Sequence, residues 1–136
     1  MTTTEEGLIG SLTAYFDHGL LLIEDSESSA DHRGWDASID YVHFDTDSLY
    51  VAVQSVVDGP VEVEVYRSPP LAPVAVGLTE VFVRQFESEF GMVKIHDPEN
   101  RGVLVAKGNR GVVGLRVLVD EVNWAARVVV IIQFPS

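Results

Sequence analysis

Cysteine is absent from the chain of 136 residues. This absence excludes disulfide bridges, thiol nucleophiles and zinc sites built on thiolates, and it fits a reducing compartment. Long apolar runs are absent too, since none approaches the ~20 residues that a membrane-spanning helix needs. The first residues, MTTTEEGLIG, hold two glutamates where a secretory signal has lysine or arginine. We therefore expect a soluble cytoplasmic protein without membrane contact, and a single domain over residues 1–136.

Basic residues are also few. Nine Lys and Arg stand against 21 Asp and Glu, which gives a formal net charge of −12. Residues 1–68 contain fourteen acids and two bases, whereas residues 69–136 contain seven of each, so the whole imbalance belongs to the N-terminal half. Direct nucleic-acid binding needs clustered Lys or Arg and is not expected. An acidic surface suits a basic protein partner, or it serves only to keep the protein dispersed.

What the sequence does contain is a succession of short segments in which apolar and polar residues alternate. This is the pattern of half-buried β-strands. The segments are rich in valine, isoleucine and aromatic residues, and Gly, Pro, Asn and Asp separate them. About nine or ten such strands predict an all-β fold, a two-sheet antiparallel β-sandwich.

Three pairs of neighbouring segments predict β-hairpins, because a short turn signal separates the members of each pair. The clearest pair is 49–57 and 61–66, around Asp58-Gly59. The other pairs are 8–16 with 20–24, and 102–106 with 112–120. Two further turns are predicted at residues 45–48 and 97–100.

Two segments are open to more than one interpretation, and a third segment predicts a connection. Residues 79–90 space their phenylalanines four apart, as one helical face would, but Val81-Phe82-Val83 favours a strand in the first half. The prolines of SPPLAP predict a connection over residues 68–73. The run 126–134 is apolar on both faces, which indicates either a central strand or an edge strand that pairs with a second copy of the chain.

No residue pattern specifies a catalytic centre. Ser11 lacks the context of an activated serine, and a turn between strands explains the glycines of GNRG at 108–111 without a bound phosphate. Each histidine has a carboxylate close in sequence. The best metal candidate, His43-x-Asp45-x-Asp47, lacks the glycine and distal glutamate of a calcium loop. We expect no cofactor and no enzymatic activity; a metal-dependent enzyme, which needs the histidines to converge, is a third hypothesis.

The most acidic stretch is EDSESSADHRGWD, residues 24–36, between two apolar runs. We interpret it as an exposed loop whose carboxylates form a negative surface. Its tryptophan either folds back over the end of the sandwich or anchors a partner. The candidate partner-binding residues are Glu24, Asp25, Glu27, Asp31, Trp35 and Asp36.

The order of these parts resembles small bacterial β-sandwich proteins of the competence protein J type, a family of nuclease inhibitors, and related bacterial proteins of similar layout. The resemblance covers most of the chain and consists of spacing and residue class. The matching parts are LTAYFDHGLLLIED, the loop tryptophan Trp35, DGPVEVEVY, EVFVRQFESEFGMVKI, and KGNRGVVGLRVLV running into VVVIIQFPS. The resemblance implies a two-sheet sandwich that acts by binding and has no enzymatic activity.

The leading functional hypothesis is an acidic, non-enzymatic binding protein, an inhibitor or immunity-type partner of a basic protein such as a nuclease. A nuclease surface is basic because it holds phosphates, so an inhibitor that covers it would present carboxylates in their place. The alternative is a structural or assembly protein that forms a homodimer through the apolar C-terminal strand.

Overall fold

The computed structural model describes residues 7–67 and 76–136. These residues form ten strands and no helix, so they contain no helix that could cross a membrane. The prediction of a connection at 68–73 lies outside the described residues. In chain order the strands are β1 (Leu8–Ala14), β2 (Leu20–Asp25), β3 (Val42–Asp45), β4 (Ser48–Ala52), β5 (Val61–Tyr66), β6 (Thr79–Ser88), β7 (Met92–His96), β8 (Val103–Lys107), β9 (Gly111–Val119) and β10 (Arg127–Gln133).

The strands form two five-stranded sheets. Sheet A has the order β1-β5-β10-β9-β6, and sheet B has the order β3-β4-β2-β7-β8. Neighbouring strands run antiparallel except for β5 and β10, which run parallel. Apolar side chains from both sheets pack into one core cluster between them. The predicted all-β sandwich is confirmed, with one parallel pair inside a mostly antiparallel architecture.

The strand β10 lies at the centre of sheet A. Its residues 128–132 are buried on both faces, because the inward side chains join the main core while Val129 and Ile131 pack outward against Tyr66 and Leu118. The central-strand alternative for this run is therefore confirmed. Both backbone edges of β10 are already paired, so a second copy could pair with this strand only after the ladder to β5 or β9 had opened.

The three predicted hairpins are wrong, although their strands exist. β1 and β2, β4 and β5, and β8 and β9 each lie in different sheets, so their connections cross from one layer to the other. A turn signal such as Asp58-Gly59 reverses the chain but does not choose the ladder partner. In the second pair, Val53 bridges Ala125 in parallel as the chain leaves sheet B. The hairpins that form are β3–β4 and β7–β8, at the predicted turns 45–48 and 97–100, and β9–β10.

The segment 79–90, for which the sequence allows helix or strand, is a strand from Thr79 to Ser88. β6 buries Phe82 and Phe86 on one face, because a spacing of four also returns to the same face of a strand. β6 begins at the same end of the sandwich as β2 and ends beside the end of β2. We call the end where β2 and β6 finish the acidic end, and the opposite end, where they begin, the tryptophan end. The connection between β2 and β3, residues 26–41, runs from the acidic end to the tryptophan end.

Candidate functional site

Carboxylates converge in a groove at the acidic end of the sandwich. The groove encloses about 660 Å³, and five of its eight lining residues are acidic. Among the residues that the structure describes, Arg110 is the only base that lines it. We call this the acidic groove; its lining residues are Asp25, Glu27, Asp47, Glu87, Ser88, Glu89, Arg110 and Gly111. Opposite charges on a partner would be attracted to such a cleft, which concentrates the field of several like charges.

The floor of the acidic groove is a hydrogen-bonded junction between the two sheets. Asp25, the last residue of β2, is only 4% exposed. Its carboxylate accepts hydrogen bonds from the Ser88 hydroxyl at the end of β6 and from the backbone N–H of Glu27. The Ser88 oxygen in turn accepts from the N–H of Met92 at 3.1 Å. Asp25 therefore fixes the floor of the groove, whereas the exposed side chains of Glu27, Glu87 and Glu89 stand above it.

The acidic surface continues from the groove across the β3–β4 turn. A second depression shares Asp47 with the groove and also contains Asp31 and Asp45. The Ser28 hydroxyl donates to Asp47 at 2.7 Å, so the loop after β2 is attached to this turn. The hydrogen bond from the backbone N–H of His32, followed by that from Thr46, lowers the pKa of the Asp45 carboxyl. These carboxylates extend the negative surface beyond the groove.

The outer face of sheet B carries a chain of polar side chains. Alternation along the strands sends Glu24 of β2, Ser48 of β4 and His96 of β7 to this face while their neighbours face the core. Ser48 donates to Glu24 Oε1 at 2.9 Å, and His96 Nε2 lies 2.7 Å from Glu24 Oε2. Partial burial would raise the pKa of the Glu24 carboxyl, but the hydrogen bonds from His96 and Ser48, together with nearby positive charge, outweigh it and lower that pKa.

His32 attaches the 26–41 connection to this polar chain. Its backbone has a positive φ of 52°, and its ring stacks on Tyr50 with centroids 3.6 Å apart. His32 Nε2 lies 2.7 Å from Ser48 Oγ; because Ser48 gives its only proton to Glu24, the imidazole N–H is the donor here. His32 Nδ1 then accepts from His43 Nδ1 at 3.0 Å. Burial and the neighbouring His43 lower the pKa of the His32 imidazole.

This network has the residue types of a catalytic site but not its access. Ser48 is fully buried and His32 is 5% exposed, so a substrate cannot reach the serine oxygen. Two of the four histidines, His32 and His43, do come together. Within residues 7–67 and 76–136, no group of three or more His, Asp or Glu side chains is placed to hold a metal ion. The geometry makes the network an anchor for the connection above sheet B.

Trp35 lies at the other end of this connection. It meets Tyr50 edge to face, with centroids 4.9 Å apart, and lines a groove of about 300 Å³ at the tryptophan end together with Trp124. Asp36 is exposed beside it. The connection thus separates the residues that the sequence groups together: Glu27 and Asp31 lie at the acidic end, and Trp35 and Asp36 lie at the tryptophan end.

The charge imbalance between the halves of the sequence does not become an imbalance between the sheets. The N-terminal half contributes β1 and β5 to sheet A and β2, β3 and β4 to sheet B. The acidic groove gains Glu87 and Glu89 from the other half, and these were missed from the sequence. Asp47 carried a usable signal, since it follows Asp45 in a predicted turn. Glu87 and Glu89 carried none, because their role depends on where β6 ends.

The fold and its grooves define a two-sheet β-sandwich with a carboxylate-lined groove at one end. Comparison with known proteins gives one solved structure with a similar fold. No family model matches the chain. No curated protein matches it either. The fold is similar to that of ComJ, inhibitor of the DNA degrading activity of NucA, from Bacillus subtilis, with a TM-score of 0.62 over 94% of this chain and 97% of ComJ. Sequence identity is 7%, so the similarity is one of fold, and at that level the resemblance to the competence protein J type is confirmed.

Proposed function

We propose that this protein is an acidic, non-enzymatic binding protein whose acidic groove engages a basic surface of a partner protein. The observation that supports this proposal most is the convergence of Glu27, Asp47, Glu87 and Glu89 on one groove that contains a single base. Three of these side chains, those of Glu27, Glu87 and Glu89, are exposed. Lysine and arginine on a partner would form charge-assisted hydrogen bonds there.

The proposed partner is a nuclease or another protein that binds phosphates. Such a protein has a basic surface, and carboxylates can occupy the places of the phosphates. ComJ, which has the same fold, is an inhibitor of a DNA-degrading activity. We propose the corresponding role for this chain, as an inhibitor or immunity-type protein acting in the cytoplasm.

The six residues predicted from the sequence take different parts in this proposal. Glu27 and Asp31 make direct contact with the partner, because both are exposed at the acidic end. Asp25 acts from beneath, by holding the floor of the groove. Glu24 acts through the network that anchors the connection. Trp35 and Asp36, the remaining two, are not in the lining of the acidic groove.

The proposal is tested with two matched triple variants. The groove variant is Glu27→Gln, Glu87→Gln and Glu89→Gln, and the control variant removes three exposed acids elsewhere through Asp58→Asn, Glu62→Gln and Glu121→Gln. Both change the net charge equally. We expect immobilised wild type and the control variant to retain the same basic partner from a lysate of the native host, and the groove variant to lose it.

Two further measurements make this test specific. Binding should weaken strongly as salt is raised, because exposed charges are screened. The DNA-degrading activity of NucA and of the host lysate is measured with and without each variant. Equal retention of the partner by both triple variants, or a partner whose surface is acidic, would show that the groove is not the contact.

A further inference from the structure

The groove at the tryptophan end has both tryptophans of the chain in its wall. It encloses about 300 Å³, which is the lower limit of ordinary ligand pockets. Its lining includes Trp35, Trp124 and Asp40. Trp124 is 51% exposed, an unusual state for so large an apolar ring. We call this the tryptophan groove.

Backbone hydrogen bonds hold the floor and walls of the tryptophan groove in place. Val53 N–H donates to the carbonyl of Gly19, and Gln54 N–H donates to the carbonyl of Ala125, each at 2.9 Å. Trp35 N–H donates to the carbonyl of His32, and the Trp35 ring is fixed against Tyr50. The β1–β2, β4–β5 and β9–β10 connections are therefore tied to one another at the groove, and the 26–41 connection is attached beside them through Trp35 and Tyr50. Binding there requires little ordering of the chain, which favours affinity.

The charges around the tryptophan groove are negative. Asp40 forms part of the wall, and one of its oxygens accepts from the backbone N–H of Asp36 at 2.9 Å. Within the described residues, the lining contains no lysine or arginine, and the His18 ring that belongs to it lies 3.6 Å from the Glu99 carboxylate. Bases near the groove in sequence have carboxylate partners: Arg33 pairs with Asp31 at 3.0 Å, Arg101 with Asp17 at 2.6 Å, and Arg127 with Glu64 at 2.7 Å. A cation entering the groove would meet a carboxylate whose charge is not neutralised by an ion pair among the described residues.

Apolar side chains accompany the two indole rings in the lining of the tryptophan groove, namely Leu20, Ala37, Ala52 and Val53. Val57, Ile39 and Val122 are 87%, 74% and 40% exposed, and they belong to connections whose other residues line the groove. Single exposed apolar residues are ordinary, but these three lie close in sequence to the lining of one groove. Aromatic anchors with apolar neighbours are typical of the energetic centre of a protein interface.

We propose that the tryptophan groove binds an arginine or lysine side chain, next to an apolar residue, on a segment of a partner protein. The cation would lie against an indole ring and pair with Asp40, while the apolar residue packs against the apolar part of the lining. A second copy of this chain fits poorly, because a symmetric contact would bring the two Asp40 carboxylates towards each other. The proposal does not depend on the acidic groove, which lies at the opposite end.

The chain offers a specific optical probe of this site. Its only two tryptophans, Trp35 and Trp124, both line the groove, so intrinsic tryptophan fluorescence reports on it alone. The protein is titrated with the acetylated and amidated tripeptide Arg-Leu-Arg, and in parallel with Glu-Leu-Glu and Ser-Leu-Ser. We expect a saturable change with the basic peptide only.

Variants at both ends of the sandwich show whether the fluorescence change comes from peptide binding in the tryptophan groove. Asp40→Asn keeps the oxygen that Asp36 uses and should weaken peptide binding by about threefold to tenfold. Trp124→Ala should abolish the saturable change at Trp35. Glu89→Gln, in the acidic groove, should leave the affinity unchanged, and all variants should keep the wild-type melting temperature.

Three results would overturn the proposal: no saturable change with the basic peptide, an equal response to Ser-Leu-Ser, or equal weakening by Glu89→Gln. Light scattering over a range of protein concentrations gives an independent check. Self-association that Trp124→Ala removes would mean that a second copy occupies the groove instead.

Discussion

The substitution Ser48→Ala tests whether the buried network anchors the 26–41 connection. Ser48 Oγ has two partners, the Glu24 carboxylate and the His32 imidazole, at 2.9 and 2.7 Å. Alanine removes both contacts and leaves the Nε2–H of a 5% exposed imidazole without an acceptor. Glu24 keeps its contact with His96. The unpaired imidazole N–H is therefore the larger loss.

An unsatisfied buried polar group costs about 1–3 kcal/mol of unfolding free energy. For a domain of this size, that corresponds to a fall in melting temperature of about 3–10 °C. The control is Ser11→Ala on the edge strand β1, where the serine is exposed. We expect this control to change stability by no more than about 0.5 kcal/mol.

A double-mutant cycle separates the network from a simple packing effect. Replacing both partners of a buried hydrogen bond by apolar groups can be nearly neutral, so Ser48→Ala with His32→Leu should destabilise the protein by less than the sum of the single variants. Detachment of the connection is read independently by trypsin, because Arg33 is the only lysine or arginine in residues 1–66 and its side chain is exposed. Additive single effects with unchanged cleavage after Arg33 would refute the anchoring role.

Three further predictions concern stability. Because the pKa values of the His32 imidazole and the Glu24 carboxyl lie below their ordinary 6.5 and 4.5, the stability that these groups contribute is complete above those values and is lost as pH falls below them. Urea unfolding at about pH 7.5 and about pH 5.5 should show a lower free energy of unfolding at the lower pH, and His32→Gln should reduce this difference. The same difference in wild type and His32→Gln would exclude His32 as the titrating group. Gly91→Ala should lower the free energy of unfolding by about 3 kcal/mol or more, because φ is +65° and a Cβ would clash with the Gly108 carbonyl oxygen. Gly34→Ala is the control: φ is +83° but nothing lies within 4 Å of a Cβ there, so it should cost only the backbone strain of about 1 kcal/mol. Similar losses of stability for the two variants in thermal melts would contradict a clash at Gly91. Ile132→Ala, at a fully buried position of β10, should cost about 2–5 kcal/mol, and Ile39→Ala, at a 74% exposed position, should leave the melting temperature nearly unchanged.

The strands could be predicted from the sequence, but most of their pairing could not. Alternation within Val61–Tyr66 identifies a strand and its buried face, because both are local properties. The ladder partners of that strand are β1 and β10, one of which is more than sixty residues away along the chain. Nothing local distinguishes a turn that forms a hairpin from a turn that crosses between sheets. The Asp58-Gly59 signal therefore predicts a hairpin, whereas the turn there connects strands of different sheets.

The candidate sites follow the same division between local and distant information. The exposure of Glu27 and Asp31 could be inferred from their polar surroundings. The burial of Asp25 could not, because it depends on Ser88 at the end of a strand in the other sheet. The separation of Trp35 from the acids also depends on a distant feature, namely the path of the 26–41 connection over Tyr50.

The central position of β10 has a consequence for how the molecule is made. Sheet A is two pairs, β1 with β5 and β6 with β9, that only β10 joins. During synthesis, β5 and β9 would each lack the hydrogen bonds that β10 supplies until residues 127–133 emerged from the ribosome. Pairings between segments so distant in sequence form slowly, and open strand edges attract other chains in the meantime. A nascent chain stalled before Arg127 is thus the form most in need of a chaperone.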